Sequence, residues 1–261
     1  MKDTREIVNE LSNSIPNFRI ACFSEFQFSG SLALVPCIYR SGNIHSINQC
    51  SASRITKDLG IECHVDLRSI KEVQEQGYPD IIIENGVKLI SYPLADYNNP
   101  VRRTKFPTFN DYSNYYYHLI MNNKTKLTEI INFIATSQYK RFLFSCYAGK
   151  DRTGIIIILI MLIIGINVDP ITYDYALSGK YLTQHIEVFQ YNWEKRGLTK
   201  EDYIARLTPD KRTITTLITM LLTEFDTIDN FLLNLGISKE IVDNLKKKFY
   251  TYASRKMDNF K

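Results

Sequence analysis

Ten consecutive apolar residues run from Ile155 to Ile164, nine residues beyond a second apolar stretch, Arg141-Phe-Leu-Phe-Ser145. A helix that is apolar all round has no face to offer water, so other elements must enclose it on every side. Gly165 and Ile166 extend the run only slightly. A bilayer-spanning helix needs roughly 18 or more such residues, so the segment reads as a buried core helix. Enclosing it takes a large core. The 261 residues supply one: 44% are hydrophobic, 12% aromatic and 23% charged, a balance that excludes disordered, collagen-like and mucin-like chains.

Upstream of that helix, strand and helix patterns alternate. Short β-rich runs at 32–39, 61–67, 87–92 and 141–145 read as strands, with helical patterns at 48–59, 71–76 and 112–137 between or beside them. This predicts an α/β fold with a central, mostly parallel sheet flanked by helices, and ligands bound beyond the carboxyl ends of the strands. From 155 onward the chain reads as all-helical, at 155–165, 170–181, 183–195, 200–206, 210–224 and 238–255. No repeat, low-complexity tract or Pro/Gly/Ser linker intervenes, so a single domain over 1–261 is expected.

Charge and cysteine usage narrow the classes further. Lys and Arg number 32 against 28 Asp and Glu, and the net charge of +4 is spread along the chain, too weak a balance to argue for nucleic acid. The five cysteines (22, 37, 50, 63, 146) include no C-x-x-C pair, and the histidines (45, 64, 118, 185) form no H-E-x-x-H pattern. A disulfide framework and a sequence-local metal site are therefore not expected, and a reducing compartment is. The N-terminus has no apolar h-region, so a cytoplasmic location without an integral membrane segment is expected.

Between the two apolar runs lies Cys146-Tyr-Ala-Gly-Lys-Asp-Arg-Thr-Gly154. A strand, loop and helix in this order place Cys146 at a helix N-terminus, where the dipole and unpaired N–H groups favour an anion and make a thiolate available as nucleophile. Arg152 offers a planar guanidinium that holds two phosphoryl oxygens at once. Gly149 lets successive amides turn inward as a nest, and Thr153 offers a hydroxyl to the cysteine sulfur. A Walker loop is rejected: it needs Gly where Phe144 stands and Ser or Thr where Asp151 stands.

Cysteine, five residues, arginine and threonine together resemble the phosphate-binding signature of the cysteine-dependent protein tyrosine phosphatases. The form C-x-A-G-K-D-R-T-G is similar to the bacterial tyrosine phosphatase family that includes secreted phosphatases of mycobacteria and Listeria, whose members also act on phosphoserine/threonine or phosphoinositides. Asn17-Phe-Arg19, Tyr39-Arg-Ser-Gly42, Val65-Asp-Leu-Arg-Ser69, Tyr92-Pro-Leu-Ala-Asp96, Asp174-Tyr-Ala-Leu-Ser178 and the run from Phe231 through Gly236 to Leu245 extend the resemblance over most of the chain. One departure stands out: the family usually carries His before the cysteine, where this chain has Ser145.

The resemblance implies a tyrosine-phosphatase-like sheet and a two-step reaction without metal or other cofactor. Cys146 attacks phosphorus, Arg152 and the amides from Tyr147, Ala148, Gly149 and Lys150 onward hold the equatorial oxygens, and water hydrolyses the phosphocysteine. Three carboxylates compete as general acid: Asp151 ranks first, then Asp96, then Asp66, which is also a natural partner for Arg68. The Trp-Pro-Asp loop of animal enzymes is absent, since the single Trp193 precedes Glu194 and Lys195. Lys150 is expected to contact a second anionic group on the substrate. Helices between Tyr173 and Arg212 are candidates for a lid, with a plain structural subdomain as the alternative.

The implied substrate is a phosphotyrosine protein, with dual specificity or a phosphoinositide as alternatives. A phospho-binding pseudophosphatase marked by Ser145 is a further reading, and a rhodanese-like sulfurtransferase the least supported. Tyr112, Tyr115, Tyr116 and Tyr117 read as one half-buried helix face, with lining of a phosphotyrosine cleft as the alternative, and Lys246-Lys-Lys248 as a solvated face.

Overall fold

The computed structural model describes residues 3–21, 38–94 and 100–257. Among these, one sheet is formed by β1 (Arg19–Ile20), β2 (Ile38–Ser41), β3 (Cys63–Asp66), β4 (Lys88–Ser91) and β5 (Phe142–Ser145), in the spatial order β1-β2-β5-β3-β4. The last four run parallel, and β1 pairs antiparallel with β2 at the edge. β5, last in sequence, is inserted between β2 and β3, with Ser41 and Asp66 both opposite Ser145. Three chain segments therefore leave the sheet side by side at its carboxyl edge, the place where parallel sheets bind ligands.

In chain order the helices are α1 (Thr4–Ser12), α2 (Gln49–Ser53), α3 (Ile70–Gln76), α4 (Asp80–Glu84), α5 (Pro100–Arg103), α6 (Phe109–Met121), α7 (Lys124–Thr136), α8 (Asp151–Ile163), α9 (Val168–Thr183), α10 (Gln190–Glu194), α11 (Lys200–Leu207), α12 (Arg212–Phe225), α13 (Ile228–Leu235) and α14 (Lys239–Met257). A π-helical turn, Arg54–Asp58, continues α2, and a 3-10 turn, Ile186–Phe189, precedes α10. Alternation along β5 divides the core. Phe142 and Phe144 face α6, α7, α8 and the helices beyond, whereas Leu143 faces α1, α2 and α4. All of β5 is buried, as a central parallel strand covered on both faces must be.

Every residue of α8 from Arg152 to Ile163 is buried. It lies between the sheet and a shell contributed by α6, α9 and α14. The enclosure its apolar run demands is thus supplied jointly by the sheet, by α6 and by helices of the C-terminal half. A separate cluster of Leu182, Ile186, Phe189, Trp193, Leu198, Tyr203 and Leu207 packs against Tyr147 and Ala148. Among the described residues no helix is long and apolar enough to cross a membrane.

Boundaries differ from the sequence reading where side chains compete with the backbone. The helix expected over 112–137 is two, because Asn123 Nδ2 donates to Leu119 O at 2.8 Å and ends α6. The helix expected from 155 begins at Asp151, since Gly154 N already donates to Lys150 O at 2.8 Å. The stretch 183–195 splits into the 3-10 turn and α10. Residues 32–37 of the first expected strand, and Asp96, lie outside the described residues.

Candidate active site

β5 delivers Cys146 to the carboxyl edge of the sheet, and α8 starts five residues later. The carbonyls of the intervening loop are committed to the scaffold. Tyr147 O accepts from Asn43 N at 3.1 Å. Ala148 O and Gly149 O accept from Asn17 Nδ2 at 3.2 and 2.8 Å. Gly149 O and Lys150 O accept from Arg40 Nη2 at 2.7 and 3.3 Å. In a trans peptide the N–H lies opposite the C=O, so carbonyls drawn outward turn the amides of Ala148 to Asp151 to the concave side. The result is an anion-binding nest at a helix start.

Gly149 is obligatory for this turn: its φ is +66°, and a Cβ there would stand 2.2 Å from Ser41 O. Behind the loop, Asn17 Oδ1 accepts from Arg19, and Arg19 and Arg40 both pair with Asp174 of α9, all four residues being buried. Ser178 Oγ accepts from Arg19 Nη2 at 3.2 Å. The segments 17–19, 39–42 and 174–178 thus meet as one polar brace.

Cys146 and Arg152 line one cavity of about 1460 Å³. Arg152 Nη1 and Nη2 donate to Glu72 Oε2 and Oε1 at 2.6 and 2.7 Å, and Nη1 to Leu67 O at 3.3 Å. Glu72 is itself fixed at the start of α3 by a capping box: Ser69 N donates to Oε2 at 2.7 Å, and Glu72 N to Ser69 Oγ at 3.2 Å. Burial opposes the Glu72 charge, but the bonds and charge of Arg152, with those of Ser69, outweigh it and hold the carboxyl down at about 2. Burial likewise opposes the Arg152 charge, and the hydrogen bonds and charge of Glu72 foremost outweigh it, raising Arg152 above arginine's ordinary value.

The other expected residues divide. Asp151 lines the cavity and is about one-third exposed (32%). Its Oδ1 accepts from Tyr116 Oη at 2.5 Å and lies 3.6 Å from Lys150 Nζ. Lys150 also lines the cavity, but its ammonium is buried, donating to Arg206 O at 3.1 Å and sitting 4.4 Å from the Tyr112 ring centroid. Burial opposes this charge, and Asp151 foremost outweighs it, raising Lys150 above lysine's ordinary value. Asp66 is fully buried and does not line the cavity; both its oxygens accept from Arg68, at 2.7 to 3.0 Å. Thr153 Oγ1, expected to donate to the cysteine sulfur, makes no such bond: it is buried without a hydrogen-bond partner among the described residues.

At the residue before the cysteine, Ser145 Oγ lies 2.7 Å from His64 Nε2. Burial pushes His64 down to about 4, so the ring is neutral at neutral pH. Its Nδ1 has no partner among the described residues, and an orphaned acceptor is tolerated better than an orphaned donor, so Nε2–H donates to Ser145. His64, Glu72 and Tyr116 are the residues the sequence reading missed. Only Glu72 carried a local signal, the Ser69-x-x-Glu72 spacing.

A family model described as "Tyrosine phosphatase family" matches residues 35–251. A Nostoc commune protein named Tyrosine-protein phosphatase is 29% identical over 130 residues, covering 48% of this chain and 42% of that protein. The chain therefore spans less than half the length of this curated relative. Among solved structures, the core catalytic domain of the S. cerevisiae PP-IP phosphatase SIW14 is 16% identical, covering 78% of this chain and 95% of its own, with a TM-score of 0.38. Kinase associated phosphatase, solved with its catalytic cysteine replaced by serine, is 12% identical over 77% of this chain and 88% of its own, with a TM-score of 0.30. Neither superposition is close. The family model, in contrast, runs from just before β2, through the cysteine loop, into α14, and the chain belongs to the tyrosine phosphatase family.

Proposed function

We propose that the chain is a cysteine-dependent phosphomonoesterase acting on phosphotyrosine. The observation that supports this most is Cys146 on a nest of inward-turned amides, in one cavity with an Arg152 held by Glu72. In the first step the Cys146 thiolate forms the S–P bond as the P–O bond breaks, and Asp151 gives its proton to the leaving oxygen. In the second, Asp151 takes a proton from water, whose oxygen displaces sulfur and releases phosphate. Arg152 and the loop amides balance the charge of the equatorial oxygens in both transition states. Asp151 is preferred to Asp66 because it lines the cavity with a partly exposed carboxylate, whereas Asp66 is wholly engaged by Arg68.

Tyr112, Tyr115, Tyr191 and Tyr203 line the same cavity and suit an aryl phosphate. Lys71, Lys124, Lys126, Lys195 and Arg196 also line it, which favours a second reading in which a phosphoinositide or multiply phosphorylated peptide is bound. The cluster from Leu182 to Leu207 acts in this reading as a cover over Tyr147 and Ala148.

The test is hydrolysis of para-nitrophenyl phosphate with EDTA present, comparing wild type with Cys146→Ser. Turnover lost in the variant is the expected result. A folded wild type that binds vanadate but releases no phosphate supports a pseudophosphatase instead, and turnover retained by Cys146→Ser removes the cysteine mechanism.

A further inference from the structure

Tyr112 and Tyr116 are four residues apart on α6 and therefore share one of its faces. That face meets two successive residues of the catalytic loop: the Tyr112 ring lies under Lys150 Nζ, and Tyr116 Oη donates to Asp151 Oδ1 at 2.5 Å. Tyr116 Oη is also 3.0 Å from Tyr175 Oη of α9. A phenol has a single proton, and that of Tyr116 is given to Asp151, so Tyr175 must be the donor to Tyr116. The chain of bonds has one direction, from Tyr175 through Tyr116 to Asp151. Both tyrosines are buried and neither lines the cavity, so neither meets a substrate.

We propose that Tyr116, backed by Tyr175, is the positioning residue for Asp151, reserving Oδ1 so that Oδ2 alone carries and delivers the catalytic proton. The inference rests on the assignment of Asp151 as general acid. A protonated carboxyl has one donor oxygen and keeps acceptor capacity on the other. An oxygen already accepting from a phenol is the poorer place for the acidic proton, which settles on its neighbour. The same bond competes with Lys150 Nζ, 3.6 Å from Oδ1, and so stops the carboxylate from collapsing onto the ammonium. Burial raises both phenols above tyrosine's ordinary value, so they remain donors across the working range of such an enzyme.

The Tyr116→Phe variant removes the donor and keeps the ring, which packs edge-on to Tyr175 with centroids 5.8 Å apart. The measurement is kcat/KM on phenyl phosphate, whose leaving group needs a proton, and on dinitrophenyl phosphate, whose leaving group does not. Tyr116→Phe is expected to lose about tenfold on the first and less than about twofold on the second, as for loss of one hydrogen bond to a charged group. Added to Asp151→Asn, it is expected to lose nothing more. Equal losses on both substrates, or a full further loss in the Asp151→Asn background, overturn the proposal while leaving Asp151 in place. If Asp151→Asn itself fails to distinguish the two substrates, the general-acid assignment falls and this inference with it. Should Tyr116→Phe not fold, Tyr175→Phe decides: a loss of about threefold on phenyl phosphate alone supports the relay, and unchanged kinetics on both overturn it.

Discussion

Two residues set the loop's chemistry by geometry that no neighbouring side chain can replace. At Gly149 any Cβ collides with the Ser41 carbonyl, and that carbonyl belongs to a central strand that cannot retreat. Gly149→Ala is therefore expected to lower kcat/KM by about a hundredfold or more, because a loop displaced by about 1 Å no longer presents its amides to the phosphoryl oxygens. At Glu72 the prediction concerns pH. Its carboxyl is held near 2 in the folded chain against an ordinary 4.5, so its stabilising contribution is full above about 4.5 and disappears as pH falls toward 2. Glu72→Gln should lower the melting temperature at neutral pH and flatten its decline between those two values. A variant that keeps the wild-type acid profile would show that the Arg152 pairing does not stabilise the fold.

Elements rather than single residues explain which parts of the site were legible in the sequence. The strand, loop and α8 follow one another in the chain, so Cys146, Gly149, Asp151 and Arg152 could be read off directly. Tyr116 and His64 reach the site from α6 and β3, 35 residues from Asp151 and 81 from Ser145 respectively. Nothing local to either marks it. The four tyrosines divide between the two readings: Tyr112 and Tyr115 line the cavity, whereas Tyr116 lies beneath Asp151 and Tyr117 donates to Glu224 of α12. Lys248, expected in solvent, donates instead to the carbonyls of Ile134 and Ser137 and closes the end of α7. At the β3–β5 pair, Ser145→Ala would leave His64 with no partner on either ring nitrogen among the described residues. Its expected cost is about 1–3 kcal/mol in denaturant unfolding. Because burial holds His64 near 4 against an ordinary 6.5, the wild-type fold should also weaken as pH drops from 6.5 to 4, where only the unfolded ring binds a proton.

Across the whole molecule the apolar run of α8 proved the most informative feature, since it required enclosure on every side, which the sheet and a helical shell supply. Distances between distant segments were not legible. The brace of Asn17, Arg19, Arg40 and Asp174 spans more than 150 residues, and its ion pairs follow from topology rather than from spacing. Arg206 ties the cluster proposed as a cover to α5, the residues after it and the cysteine loop, its guanidinium donating to the carbonyls of Val101, Thr104 and Lys105 and its own carbonyl accepting from Lys150. Arg206→Ala should loosen that cover, raising KM by several fold and speeding proteolytic cleavage between 183 and 210, with kcat changed less. An unchanged cleavage rate would mean that the apolar cluster holds the cover without it.

The central claim is that Cys146 carries the phosphoryl group. Rapid acid quenching of the Asp151→Asn variant during turnover of para-nitrophenyl phosphate, followed by mass spectrometry of the peptide containing Cys146, tests it most directly. The account predicts phosphate on the Cys146 sulfur, absent from Cys146→Ser. Phosphate found on another residue, or steady turnover by Cys146→Ser, would contradict it.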